Sequence, residues 1–584
     1  MAVVLVGLPF LIALLALAAK HWLPSLDLAM TDLRVRDVGT PHTPLIGLPS
    51  RIGTIATVGS HPGPLGFYLL APLYRLFGKR SFTLLLGSGL IQSAAAFGFI
   101  AVVWRVAGKR VGVASTAAIV VLMHFYGPSL LTQPLAPYLP LLCWALMLVC
   151  VWGVLSGHPR LIAVVAVTAS LAAQTHASYV GISIGMGLMA VIGLIVYAKR
   201  ERDIDRRVDA VQWGVWAVIV AAALSVPAVV DQFLHKPGNL RVLADFYNHP
   251  AQKAIGTGNG LKLMLRHFDL FRLLFGGRLG VGNLFFGTVF VLLWVAAVVV
   301  AVTTRHWLLL RLHIVVAWAI VLGAWSLGKI FGDVSYYLSL WAWGTATVAF
   351  VATFWTAWVA VRVYWPNVSI HINPQLTLAS YVAAAVMALA CVIQAQGVTP
   401  PQQRLGDAVA RLVAPTMKAI GTNQGGAQGI RGHYVVSWQD DYFNGAQGLA
   451  LLDELERRGY RVGSTPAEAV QVTPRRVLPP KDASTTIILA VGHSIDDVAI
   501  LPGALKVTQV DPRSVAEVIE YDKLHDQVVK ELTAAKRTPL VPLLDTNLAA
   551  LGSNTSVPKS TQTKIARMTA LGQPLAVFFV PITR

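Results

Sequence analysis

Charge is scarce in this sequence. Asp, Glu, Lys and Arg make up 13% of its 584 residues, about half of the roughly 25% found in soluble globular chains. With 55% hydrophobic residues and a mean hydropathy of +0.62, the composition excludes an ordinary soluble protein and points to an integral membrane protein. Cysteine is scarcer still. Cys143, Cys150 and Cys391 are the only three, and all lie in apolar runs, where a thiol acts as a small hydrophobe. A disulfide framework and a metal–thiolate centre are therefore both excluded. Nucleotide-binding and hydrolase signatures are missing as well. No G-x-G-x-x-G opening a helix, P-loop, G-x-S-x-G or zinc spacing occurs in the polar C-terminal part, and no repeat of 20 to 50 residues is evident. Acidic residues number 28 against 47 basic ones, a net charge of +19. In a chain this apolar, basic cytoplasmic loops and lipid phosphates account for that excess, and nucleic acid is not expected as a partner.

What is abundant is long apolar runs. A span needs about 20 mostly apolar residues. The candidates are the opening run to Lys20, then roughly 82–104, 112–126, 136–155, 161–175, 178–198, 211–232, 283–303, 308–328, 335–360 and 376–396. They predict a polytopic α-helical membrane protein with about eleven transmembrane helices. The opening run lacks a basic start and a small-residue cleavage site before Lys20, so it reads as a retained span rather than a signal peptide. The basic links "RVAGKR", "GHPR", "KRERDIDRR" and "TTRHWLLLR" fall on one side, which the positive-inside rule makes cytoplasmic. The expected location is the plasma membrane, multi-pass. Residues 20–81, 127–135, 233–282 and the C-terminal part then lie outside.

The composition changes near residue 398. Residues 1–397 hold nearly all the apolar runs; 398–584 begin with the linker-like "VTPPQQR" and read as a soluble extracytoplasmic α/β domain. There, "HYVVSW", "RVGS", "TTIILAVG" and "PLAVFFVPI" have strand character and alternate with the amphipathic "GAQGLALLDELERRGY" and "SVAEVIEYDKLHDQVVKELTAAK".

One external stretch concentrates polar chemistry. "PSLDLAMTDLRVRDVGTPHTPLIGLPSRIG" (24–53) follows the opening run by a few residues and carries Asp27, Asp32, Asp37, Arg34, Arg36 and Arg51. On a helix, Asp27 and Arg34 are about 700° apart and share a face, whereas Asp27 and Asp32 diverge by about 140°, as do Asp32 and Asp37. Three carboxylates so spread do not form one metal cage. No metal site is assigned, and a divalent Mg or Mn requirement is left open. Next comes "HPGPLGFYLLAPLYRLFGKR", a proline-rich turn and an aromatic helix in an external segment too long and too apolar for a disordered linker.

Together these stretches resemble membrane glycosyltransferases of the GT-C fold, in the branch that includes protein O-mannosyltransferases and the aminoarabinose transferase of lipid A. Asp27 matches the first member of that family's acidic pair after span one. His61, Pro62, Pro64, Leu65 and Tyr68 match its proline-rich turn and helix. Leu28 stands where the second acid would be, which makes Asp32 the alternative, and "HFYGPSLLTQPLAPYLP" lacks an acid that relatives often carry there. The plan of a GT-C core with a C-terminal extracytoplasmic domain is similar to that of actinobacterial arabinofuranosyl- and mannosyltransferases.

The resemblance implies a polyprenyl-phosphate sugar donor, with arabinofuranose or mannose favoured, and an envelope glycan, lipid or protein acceptor at the outer face. Inverting transfer needs a carboxylate to take the acceptor proton, a role that falls to Asp27 or Asp32. It also needs cations for the departing phosphate; Arg34, Arg36, Arg51 and Lys329 are the candidates. Gln133, His176 and Tyr179, at outer ends of spans, join His61 and Tyr68 as expected substrate contacts. A transporter or flippase of lipid-linked sugars is the competing class, but it calls for charged or broken helices at mid-membrane and related halves, and the spans here are clean. A non-catalytic envelope scaffold is the third.

Overall fold

The computed structural model describes all residues except 1, 55–56, 251, 278–279, 333, 366–373, 441–444, 555 and 583–584. The chain divides into two compact units. The first comprises Met1–Lys20 and Thr43–Thr399; the second comprises His21–His42 and Pro400–Arg584. Residues 21–42, read from the sequence as part of the membrane core, are thus an element of the second unit.

The first unit is helical. Six described helices are long and apolar enough to cross a membrane: Phe82–Tyr126, Ala177–Arg200, Ile204–Leu234, Leu284–Thr303, Trp307–Gly328 and Trp341–Tyr364. Five shorter apolar helices accompany them, among them Val4–Ala18, Leu141–Leu155 and Leu161–Thr175. The sequence reading of about eleven spans differs from this count for a physical reason. A 15-residue helix rises only about 22 Å, short of a ~30 Å hydrocarbon core. Two of the expected spans, moreover, run together as Phe82–Tyr126, interrupted at Gly108, whose φ of +82° is open to glycine.

Helix Leu141–Leu155 is apolar all round, and its residues from Leu141 to Val154 are buried, as a helix enclosed on every side must be. Its Trp144 donates to Thr345 Oγ1 (3.0 Å), and Trp152 donates to the Leu308 carbonyl (2.9 Å), so both buried indoles are satisfied. The outer helices are two-faced. On Val180–Arg200 the row Ile182, Met186, Ala190 and Leu194 is buried, whereas Ile184, Leu188 and Ile192 are exposed. An apolar exposed face on this scale marks a lipid-facing surface.

Between Thr43 and Leu65 the chain forms an antiparallel pair, β1 (Pro49–Thr54) and β2 (Thr57–Ser60), then the His61–Pro64 turn and the helix Leu65–Leu76.

The second unit contains a five-stranded sheet built from β3 (His433–Gln439), β4 (Arg461–Gly463), β5 (Thr485–Val491), β6 (Leu505–Val510) and β7 (Leu575–Pro581), in the order β4-β3-β5-β7-β6. β3 pairs parallel with β4 and β5, and β7 runs antiparallel to β5 and β6. Strand β6, "LKVTQV", escaped the sequence reading; its exposed and half-exposed residues give it a weak apolar signal. Residues 21–42 contribute the helix Asp27–Asp37, which buries nine of its eleven residues. Gly406 lets the neighbouring helix Gln403–Gly421 approach this segment, because a Cβ there would lie 2.5 Å from the Leu23 carbonyl oxygen.

Candidate active site

Each unit gathers some of the residues singled out in the sequence. In the first, the chain leaves β2 and is pinned on both sides of His61: the Gly47 N–H donates to the His61 carbonyl (2.9 Å), and the His61 N–H donates to the Leu48 carbonyl (2.8 Å). Asn239 clamps the same point. It accepts from the Ser60 N–H (2.8 Å) and donates to the Ser60 carbonyl (3.1 Å), while its own N–H donates to Asp231 Oδ2 (2.9 Å). The H-P-G-P turn then packs on the end of helix Leu161–Thr175. The Gly63 N–H donates to the Gln174 carbonyl (3.1 Å), and a Cβ at Gly63 would fall 2.3 Å from Gln174 Oε1. Any side chain there would have to displace that of Gln174.

This docking brings His61 against His176, with ring centroids 4.4 Å apart. Both are buried. His61 Nδ1 accepts from the Ala177 N–H (3.3 Å), and His176 Nδ1 accepts from the Ser178 N–H (3.3 Å) and lies 2.8 Å from the Ser178 hydroxyl. An accepting Nδ1 puts the proton of a neutral imidazole on Nε2. Burial pushes the His61 pKa down to about 4; burial and the neighbouring His61 hold His176 well below its ordinary value. The pair therefore offers two N–H donors without a resident charge. Such donors can meet a phosphate or sugar oxygen without the desolvation cost of a buried cation. Tyr337 packs edge-on against His176 at 6.2 Å, and its neighbour Tyr336 shares a 2.8 Å hydrogen bond with Tyr138. Asp231, Asn239, Tyr336 and Tyr337 were missed in the sequence; "SYYLS" is an aromatic pair beside a span, the one signal that could have found the tyrosines.

The other expected contacts take the following places in the fold. Tyr179 is buried and donates to the Pro137 carbonyl (3.1 Å), and Tyr68 donates to the Pro44 carbonyl (2.7 Å). Gln133 is half-buried and accepts the Ser88 hydroxyl at its main-chain oxygen (3.1 Å). Lys329 is exposed at the end of helix Trp307–Gly328. The Arg51 side chain lies outside the described residues.

Asp27, Asp32, Arg34 and Arg36 lie in the second unit on the helix Asp27–Asp37. Asp32, with no exposed surface, bonds Arg36 (2.8 Å) and Arg457 (2.9 Å). Asp453 bonds the same two guanidinium groups, at 2.6 and 2.5 Å, and burial raises its pKa. Asp37 is held by Arg476 at 2.7 Å, and Glu456 by Arg476 at 2.6 Å; Arg475 reaches both carboxylates. Arg34 donates to the carbonyls of Val470 (3.0 Å), Gln471 (3.2 Å) and Met30 (3.2 Å). Burial and the nearby Arg476 bring its pKa down to about 10 against the pull of Asp37 and Asp27. The charges that crowd residues 27–37 are thus the near half of a clasp whose far half is 453–476. Asp32, Arg34 and Arg36 have protein partners in it, and Asp27 acts on Arg34. Asp27 stands at the helix start, half-buried, directly after Leu26, whose φ of +50° is a strained setting for a branched side chain. Among the described residues no group of three or more His, Cys, Asp or Glu is placed to hold a metal ion. Asp32 and Asp453, which share two arginines, do not form a cation cage.

No family model matches the chain, and no curated protein resembles it significantly in sequence. Solved structures do resemble it. ArnT from Cupriavidus metallidurans in the apo state is 14% identical, covering 87% of this chain and 95% of that one with a TM-score of 0.50. The same protein bound to undecaprenyl phosphate gives 14% identity, 87% and 96% coverage and a TM-score of 0.48. The archaeal oligosaccharyltransferase AglB from Archaeoglobus fulgidus, in complex with an inhibitory peptide and a dolichol-phosphate, gives 10%, 84%, 69% and 0.40. At such identities the likeness concerns the fold, and the apo ArnT comparison carries it.

Proposed function

We propose that this protein is a membrane glycosyltransferase that moves a sugar from a polyprenyl-phosphate donor to an envelope glycan, lipid or protein acceptor at the outer face of the plasma membrane. The observation that carries this reading is the fold shared with ArnT over 87% of the chain, the plan that the resemblance of "HPGPLGFYLL" and Asp27 calls for. ArnT is a protein that binds undecaprenyl phosphate, the donor-carrier class proposed here. Arabinofuranose or mannose is the favoured sugar.

Asp27 is assigned as the general base that takes the acceptor hydroxyl proton while the hydroxyl attacks the anomeric carbon with inversion and the bond from that carbon to the departing polyprenyl phosphate breaks. The strained Leu26 beside it supports a functional position, and Asp32 is the alternative base. The neutral His61–His176 pair is assigned to donor or sugar oxygens, and Arg51 and Lys329 remain the candidate phosphate cations. Reconstitution in proteoliposomes with polyprenyl-phosphate arabinofuranose or mannose tests the reading. Asp27→Asn keeps size and hydrogen bonding but removes basicity, so transfer should fall at least ~10²-fold while donor binding survives. Normal transfer by a folded Asp27→Asn enzyme, or no transfer from either donor by the unaltered chain, refutes it.

A further inference from the structure

The second unit contains a cavity that the transfer reading does not use. Val491 at the end of β5 pairs with Leu575 at the start of β7, and Leu575 also pairs with Val510 at the end of β6. The carboxyl ends of β5 and β6 therefore meet the amino end of β7 at one edge of the sheet, where α/β folds commonly seat ligands. β5 leaves that edge through Gly492, at φ +60°. Beyond β6 the helix Val515–Ala534 begins at Ser514 with a reciprocal Ser514–Glu517 cap. The space between measures about 280 Å³, near the lower end of the ~300–1,000 Å³ usual for small-molecule sites.

Arg513, Tyr521 and Gln573 form its floor. The Arg513 side chain is 8% exposed and fixed by Asp511, to which Nε donates at 3.0 Å and one terminal nitrogen at 2.9 Å. Its guanidinium lies 5.0 Å from the centre of the Tyr521 ring, and the other terminal nitrogen has no hydrogen-bond partner among the described residues. Gln573 donates its amide N–H to the Tyr521 hydroxyl (2.5 Å), which leaves the amide oxygen as an acceptor. The rim carries His493, Asp522, His525 and Asp545, with His525 Nε2 3.4 Å from Asp545.

This lining selects by chemistry. A lipid tail finds no apolar wall. A phosphate meets two rim carboxylates, and the one floor cation is already neutralised by Asp511. A compound with many hydroxyls, each both donor and acceptor, matches carboxylate and amide oxygens interleaved with guanidinium and imidazole nitrogens. We propose that the cavity is a saccharide-binding subsite that takes one or two sugar units of a neutral glycan. The ring face of Tyr521 is covered by Arg513, so recognition rests on hydrogen bonds rather than stacking.

The test uses the full-length chain in detergent, without any lipid donor, and saturation-transfer NMR. The probes are a mannose, an arabinofuranose and a glucose disaccharide, with inorganic phosphate as a control. At least one disaccharide should receive saturation, and Asp522→Ala/Asp545→Ala, at exposed positions, should weaken its binding at least about tenfold. Gln573→Ala should weaken it also. The Asp27→Asn chain should bind as before, so failure of this site and failure of the transfer reading are separate results. Saturation of none of the three disaccharides, binding unaffected by the double substitution, or binding of phosphate alone would overturn the proposal.

Discussion

In the first unit the buried histidines His61 and His176 sit ring against ring at a 40° tilt, uncharged and held by backbone amides. In the second, Asp32, Asp37 and Asp453 are as deeply buried but are ion-paired with four arginines. Both arrangements answer the same physical demand, since a buried polar group needs a partner. They answer it with different consequences. The histidine pair uses only its Nδ1 atoms in the bonds that hold it. The carboxylate–arginine clasp spends its hydrogen bonds inside the unit and ties the helix Asp27–Asp37 to residues more than 400 positions away. Much of the charge density at 27–37 thus serves cohesion of the second unit, whereas the two histidines are held without any ionic partner.

This contrast can be broken most forcefully at the clasp. Asp32→Ala leaves Arg36 and Arg457 with one shared carboxylate fewer in a buried site, and should cost ~3–5 kcal/mol, read as loss of the second unit's unfolding transition in denaturant. A folded variant with unchanged stability would show the clasp to be dispensable. Gly63→Ala comes next. Its Cβ must displace the Gln174 side chain, an overpacking cost of ~1–3 kcal/mol that should appear as a lowered melting temperature of the first unit.

The third expectation concerns pH. His61 is held near pKa 4 when folded, against 6.5 for the ordinary group. Between those values the unfolded chain binds a proton that the native one refuses, so stability is full above pH 6.5 and falls as pH drops toward 4. The slope from this one group is about 1.4 kcal/mol per pH unit, and His61→Gln should flatten the acid limb of the melting-temperature profile by that share. The smallest effect is expected at the second unit's surface. Arg567 and Glu520 form a 2.7 Å ion pair exposed to water, and Arg567→Ala should leave the melting temperature unchanged within error, because exposed pairs contribute little. A large drop there would erase the distinction between buried clasp and surface pair.

Local pattern made some of this legible. The helix after "HPGP" begins at Leu65, as the proline-rich turn suggests, and the strand character of "HYVVSW" and "TTIILAV" reflects β-rich runs that occupy the middle of the sheet. The placement of Asp27 and Arg34 on one helix face fits the structure, since Asp27 is among the charges acting on Arg34. Asp32 and Arg36, four residues apart, are neighbours on one helix face, yet nothing local reveals that Arg457 and Asp453 complete their shell. His61 and His176 are 115 positions apart; both are expected from the sequence as substrate contacts, but nothing local places one ring against the other. Pairwise chemistry over such separations is a property of the fold, not of spacing.

The division of the second unit between residues 21–42 and 400–584 also bears on how the chain is made. At roughly 5–20 residues per second, about 20 to 85 s separate the synthesis of Asp32 from that of Arg457. For that interval the helix Asp27–Asp37 has none of its distant partners, and its three carboxylates must stay hydrated or be sheltered by another protein. Completion of the second unit thus waits for residues 400–584, and a ribosome that stops before Asp453 releases a chain whose helix Asp27–Asp37 lacks these distant partners.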